Sequence, residues 1–219
     1  PDTLPYTGTV MAIDPAGRGS DESAYAVMKA LNGYLFLMDV GGFTEGYSDL
    51  ALTQMAQLAK FWQVNEIVVE ANFGDGMFTK LMSPIFSKIH PCVITEVKNT
   101  KQKELRIIDT LEPVLMRHKL IVNQSVIEND YKRYESGQTY SLIYQMTRIC
   151  RDKKAIAHDD RLDAVTMATA YWLSSMDIDG DKKEEGSERS IEEMMDEGIM
   201  VQPEERYERC VKNIKALRS

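Results

Sequence analysis

The first apolar run, Gly8 to Asp14, is almost wholly hydrophobic and ends in Asp14-Pro15-Ala16-Gly17, a buried strand that stops at a turn. Ser23 to Lys29 and Tyr34 to Val40 have strand composition too, and Asn32-Gly33 between them is the dipeptide that best suits a tight hairpin. Three antiparallel strands therefore open the chain. The period then changes. Behind a capping Ser48, with Asp49 in the first turn, Ala51, Met55, Leu58, Ala59 and Trp62 recur at helical spacing. Ile67-Val68-Val69 predicts a short strand ended by Glu70, and Asp75 to Ile89 a helix despite Pro84. Val93 to Val97 predicts a strand. Lys101 to His118 predicts a long helix with a stripe of Leu105, Ile108, Leu111 and Leu115. After Lys119 to Val122, the stretch from Val126 to Arg151 is polar, aromatic and basic, and predicts a helix plus a hairpin. Asp159 to Met176 is the final helix, packing through Leu162, Val165, Thr169 and Trp172.

Three strands followed by alternating helices and strands is the order of an α/β, ribonuclease H-like fold: an antiparallel meander extended into a mixed sheet by helix-crossed strands, with helices flanking it. The expected organisation is a core domain at 1–175, a charged linker at 176–187 and an amphipathic helical tail at 188–219. In that tail Tyr207, Cys210, Val211, Ile214 and Leu217 form an apolar stripe after Pro203, the pattern of a partner-docking segment.

With 43% hydrophobic and 27% charged residues, disordered, collagen-like and disulfide-framework chains are excluded. Three cysteines, none in a C-x-x-C pair, predict free thiols. No apolar run is long enough to span a bilayer and no signal peptide precedes Gly8, so an intracellular protein without membrane contact is expected; a start at Pro1 suggests a fragment of a longer chain. Net charge is −8, which alone argues against a nucleic-acid partner, yet the segment from Lys98 to Arg161 carries a net of +4. A basic path can thus lie beside an acidic pocket.

The acids carry the chemistry. Asp14 and Glu70 each end an apolar strand, and His158-Asp159-Asp160-Arg161-Leu162-Asp163-Ala164 opens the last helix, where Asp160 and Asp163, three apart, share a face. Read singly, each acid is as readily a turn residue or a helix cap. Converging carboxylates repel unless a cation lies between them, and all-oxygen ligands suit Mg²⁺ or Mn²⁺. A pair of such ions can promote phosphodiester hydrolysis.

Met11 to Gly17, Val68 to Asn72 with Gly74, Lys101 to Leu111 (KQKELRIIDTL) and His158 to Ala164 together resemble the nuclease domain of the large terminase subunit of tailed bacteriophages, podophage branch, over residues 8 to 175. The resemblance implies an endonuclease of double-stranded viral DNA that cuts concatemers at the start and end of genome packaging in the host cytoplasm. It implies Asp14, Glu70, Asp160 and Asp163 as catalytic metal ligands, with Asp159 weaker. It also implies as partners the portal ring, the small terminase subunit and an ATPase domain of the same full-length chain. No G-x-x-x-x-G-K-[ST] occurs, so ATP hydrolysis by a P-loop is not expected here.

For DNA contact the candidates are Lys98, Lys101, Lys103, Arg106, Arg148 and Lys153, with Lys132, Arg133, Arg151 and Lys154 in the same basic stretch; each is equally well a solvated surface charge. Tyr131, Tyr134, Tyr140 and Tyr144 lie among them and read mainly as packing residues. His158 borders the acids and can orient a ligand or water, whereas His90 and His118 read as structural. Two other readings use different chemistry: a Holliday-junction resolvase acting on branched DNA, and a non-catalytic DNA- or portal-binding module. An actin-like or sugar-kinase-like ATPase is excluded by length and by the missing second phosphate-binding turn.

Overall fold

The structure, a computed structural model, describes residues 6–16, 22–71 and 76–176. β1 (Gly8–Asp14), β2 (Ser23–Leu31) and β3 (Tyr34–Phe43) form the antiparallel meander. There follow α1 (Asp49–Trp62), β4 (Glu66–Glu70), α2 (Met77–Ile89), β5 (Val93–Val97), α3 (Lys103–Met116) and β6 (Leu120–Val122). Then come α4 (Gln124–Gly137), a 3-10 turn (Gln138–Tyr140), α5 (Leu142–Arg148) and α6 over residues 160–176. The six strands are ordered β5-β4-β1-β2-β3-β6, with β4 parallel to β1, β5 to β4 and β6 to β3. The fold is thus the expected mixed sheet with flanking helices. No helix of the described residues is long and apolar enough to cross a membrane. Residue 176 of the expected linker belongs to α6, and the rest of that linker, 177–187, and the tail at 188–219 lie outside the described residues.

Strand parity places the acids. Met11 and Ile13 of β1 and Ile67 and Val69 of β4 join one core cluster with Leu52, Met55 and Ala59 of α1 and Phe78, Met82 and Phe86 of α2. Side chains alternate along a strand, so Val10, Ala12 and Asp14, and likewise Val68 and Glu70, point to the opposite face. That face is covered by α6, whose residues 161–169 are all buried and whose Trp172 indole donates to the Met28 carbonyl at 3.3 Å. Pairing of Ile13 with Val69 then brings the strand-ending Asp14 and Glu70 side by side on the α6 face.

Two expectations are corrected. Residues 126–151 contain no hairpin: the polar, aromatic run folds as α4, the 3-10 turn and α5. The buried Asp130 makes this possible, accepting from Ser141 Oγ at 2.7 Å and from the amides of Leu142 and Ile143 at 2.6 and 3.0 Å, the free N–H groups of a helix start. Gln145 then ties α5 to α6, accepting from the Leu162 amide at 3.0 Å. Asp130→Ala is expected to cost about 2–3 kcal/mol, since it strands buried donors of a charge-assisted network; urea unfolding measures this, and an effect below 1 kcal/mol would contradict it.

The second correction is the face of α3. Its buried positions are Glu104, Ile107, Leu111 and Val114, while Leu105 and Ile108 are half-buried and Leu115 is exposed. The helix is rotated because its first turn is polar on both sides. Glu104 accepts the Lys154 amide at 2.6 Å, and Lys103 and Arg106 reach into the acidic cluster.

Candidate active site

Asp14, Glu70 and Asp163 each offer a carboxylate oxygen, and the three atoms lie within 4.8 Å of one another. All three side chains are buried, and Asp163 is fully so. Asp159 starts α6 by accepting the Asp163 amide at 2.8 Å, so Asp160 and Asp163 project from its first turn toward the ends of β1 and β4. Asp160 lies outside the tight trio and shares a cation with it.

That cation is Lys103. Its Nζ stands 3.3 Å from Asp14, 3.2 Å from Asp163, 2.7 Å from Asp159 and 3.9 Å from Asp160. Arg106 donates to Asp163 at 2.8 Å and approaches Glu70 at 3.4 Å, and the Asn99 amide donates to Glu70 at 2.8 Å. Burial holds the Asp14 carboxyl well above the usual aspartate range; Lys103 opposes this, and the charges of Asp163, Glu70 and Asp160 add to it. Asp163 is raised for the same first reason, against Lys103 and Arg106. Burial alone would lower the Lys103 ammonium pKa, but Asp14, Asp163 and Asp159 outweigh it, and the group is held more firmly charged than a free lysine.

The donor set fits a hard divalent cation. The ligand atoms are all carboxylate oxygens in a compact buried group. Asp163 Oδ1 is fully buried and accepts no hydrogen bond among the described residues, an orphan acceptor that a cation satisfies. Lys103 supplies part of the required positive charge through a long flexible stem that can withdraw.

The remaining predicted residues separate into three groups. Lys103 and Arg106, expected as phosphate contacts, are inside the acidic cluster. Lys98, Lys101, Arg148 and Lys153 are exposed, as a surface path requires, and Arg148 lies over the Tyr144 ring at 5.6 Å. His158 is half-buried and stacks on Tyr140, with centroids 4.3 Å apart. Sequence reasoning missed Asn99, two residues beyond β5, and Glu22, whose carboxylate receives both Nε and a terminal nitrogen of Arg161. Only register could have flagged Asn99: Glu70 pairs with Val97, so a polar residue just beyond β5 stands next to it.

Residues 13–120 match the family described as the ribonuclease H-like domain of the bacteriophage T7 terminase. The large terminase subunit of Enterobacteria phage T3 is 47% identical over 204 residues, covering 90% of this chain. This chain belongs to the T7-type terminase ribonuclease H-like family. It spans 35% of the T3 relative's length, so the terminase domain is compared with only part of that protein. Among solved structures, the Mn-soaked, inhibitor-bound terminase nuclease domain of human cytomegalovirus aligns with a TM-score of 0.57 at 15% identity, covering 78% of this chain and 86% of that one. The large terminase nuclease of thermophilic phage G20c gives 0.52 at 11% identity, covering 76% and 82%. Those likenesses establish that the terminase domain has the terminase-nuclease fold.

Proposed function

We propose that this chain is a divalent-metal-dependent endonuclease that hydrolyses phosphodiesters of double-stranded viral DNA, cutting concatemers as packaging begins and ends. The observation that carries the reading is the buried Asp14, Glu70 and Asp163 trio, with its orphan Asp163 Oδ1. Asp14, Glu70 and Asp163 would hold Mg²⁺ or Mn²⁺, two ions being the stoichiometry suited to this chemistry, with Asp160 completing the ligands. When bound, such ions polarise the phosphoryl oxygen and make water a competent nucleophile at neutral pH.

The protein's own groups do the rest. Arg106 and Asn99 fix the Glu70 carboxylate, and Arg106 also fixes Asp163, so both acids are oriented before any ligand arrives. Lys103 offsets part of the cluster's negative charge until its ammonium withdraws, when it can meet a DNA phosphate. Exposed Lys98, Lys101, Arg148 and Lys153 are the proposed backbone contacts. The portal ring, the small subunit, an ATPase domain, the host cytoplasm and docking by residues 188–219 follow from terminase membership as proposals of the same kind. A resolvase reading has no observation of its own in favour.

The test is plasmid nicking with Mg²⁺ or Mn²⁺ against EDTA, and linear against four-way-junction DNA. The expected result is metal-dependent cleavage without preference for the junction; no cleavage in either metal would contradict the nuclease reading, and strong junction preference would favour a resolvase. Because metal ligands must be ionised and burial raises Asp14 and Asp163, cleavage is expected to climb with pH above the range where ordinary aspartates are already charged. A flat rate from pH 5 to 8 would contradict this.

A further inference from the structure

A cavity of about 430 Å³ is walled by Glu22, Gly42, Glu45, Leu50, Arg133 and Arg161 among others. It lies on the same edge of the sheet as the acidic cluster. Asp14 pairs with Ala24, and Ser23 with Phe43, so Glu22 and Gly42 stand level with Asp14, displaced sideways toward β3. At the usual strand spacing the displacement is about 10 Å, roughly three nucleotides of rise along one DNA strand.

The cavity is built around a charge triad. Arg161, nine-tenths buried, donates to both oxygens of the fully buried Glu22, and Arg133 stands 3.9 Å from the same carboxylate. One buried carboxylate lies between two guanidiniums, and Glu45 is a second carboxylate on the cavity wall. Of the two guanidiniums Arg133 is the accessible one, being about one-third exposed while Arg161 is nine-tenths buried. Its Nε is buried and makes no hydrogen bond among the described residues. Its guanidinium also lies 5.0 Å over the Tyr140 ring, which stacks on His158 beside the acids, so the side chain is held from two directions. Gly42 is required by this arrangement: a Cβ there would fall 2.3 Å from the Glu22 carboxyl carbon.

A pre-oriented guanidinium with donor capacity to spare, in an open cavity level with a phosphodiester-cutting centre, suits a phosphate. Resting on the nuclease reading above, we propose that this cavity is a second phosphate subsite, which takes the backbone of the DNA strand a few nucleotides from the scissile bond and uses Arg133 as its ligand. Glu22 and Arg161 position Arg133 and do not touch the DNA. The subsite would set where along the strand the cut falls by holding register, with no reading of bases.

The experiment is anisotropy titration of a short labelled duplex in EDTA over a range of salt, for wild type, Arg133→Gln, Arg133→Lys, Leu50→Glu and Lys60→Gln. Leu50 lies in the first turn of α1, where a carboxylate is tolerated by the helix, so that variant folds even if Arg133→Gln does not. Lys60, exposed at the far end of the same helix, is the control for bulk charge. Expected are several-fold weaker binding for Arg133→Gln and Leu50→Glu, a log–log salt slope shallower by about 1 for Arg133→Gln, and wild-type slopes for Arg133→Lys and Lys60→Gln. Unchanged binding in Arg133→Gln and Leu50→Glu, or an equal loss in Lys60→Gln, overturns the subsite. The two readings fail separately. Arg133-dependent binding without metal-dependent cleavage supports the subsite and contradicts the nuclease, whereas cleavage with Arg133-independent binding does the reverse.

Discussion

Asp14→Asn is expected to abolish metal-dependent cleavage, by about 10³-fold or more, and at the same time to raise the melting temperature of the metal-free protein. The loss of activity follows from removing a ligand oxygen from a trio whose atoms lie within 4.8 Å. The gain in stability follows from the direction of the Asp14 pKa. Burial, with Asp163, Glu70 and Asp160 adding to it, makes the native state prefer the neutral form against the pull of Lys103. A group raised on folding gives stability that is full below its unfolded value and is lost as pH climbs through its folded one. In the wild type that stability is lost as pH climbs through the raised Asp14 value, while the neutral amide keeps it. The melting temperature of the variant should therefore exceed that of the wild type by a margin that grows from pH 5 to pH 7.5. Saturating Mn²⁺ should invert the order, since only the wild type gains binding energy. Differential scanning fluorimetry at two pH values, with and without Mn²⁺, reads all of this. A variant less stable than wild type in EDTA at pH 7.5 would show that Asp14 is held mainly by Lys103, as a structural ion pair.

Lys103→Ala should have the opposite signature. The ammonium stands within 4 Å of four carboxylates, and without it Asp163 keeps Arg106 while Asp14 loses its ion-pair partner. Breaking a half-buried ionic cluster on one side costs on the order of 2–3 kcal/mol, so the metal-free variant should melt about 5–10 °C below wild type. Mn²⁺ should then raise its melting temperature by more than it raises that of the wild type, because the ion no longer competes with a resident charge. Calorimetric titration should likewise give tighter Mn²⁺ binding than in the wild type at equal pH. Weaker metal binding in Lys103→Ala would mean that the lysine recruits the ion's water or orients the carboxylates, and does not stand in for the ion.

Much of this was legible in the chain, and the physical reason is periodicity. Strand runs ending in Asp14 and Glu70 specify both the sheet and the edge where the acids gather, because a period-2 pattern fixes which face each residue takes. The i, i+3 spacing in α6 places Asp160 and Asp163 together in the same way. Where tertiary demands override local pattern the chain misleads. Of the expected α3 stripe of Leu105, Ile108, Leu111 and Leu115 only Leu111 is buried, and Glu104, Ile107 and Val114 are buried in place of the rest, because Lys103 and Arg106 must reach the acids. The same reversal hides the role of those two cations, which read as surface phosphate contacts. Glu22 carries no local signal at all: its meaning lies in Arg161, 139 residues away, and in the missing side chain of Gly42. Likewise, α5 replaces a hairpin because a single buried carboxylate, Asp130, caps it from the preceding helix.

Asp14, Glu70 and Asp163 are proposed to hold the catalytic ion, and an anomalous-difference map from crystals soaked in Mn²⁺ shows whether they do. A peak is expected between Asp14 and Asp163, with Lys103 Nζ displaced from its position 3.2 Å from Asp163. A map with no peak there, and with Lys103 still seated among the four carboxylates at saturating Mn²⁺, would contradict the proposal.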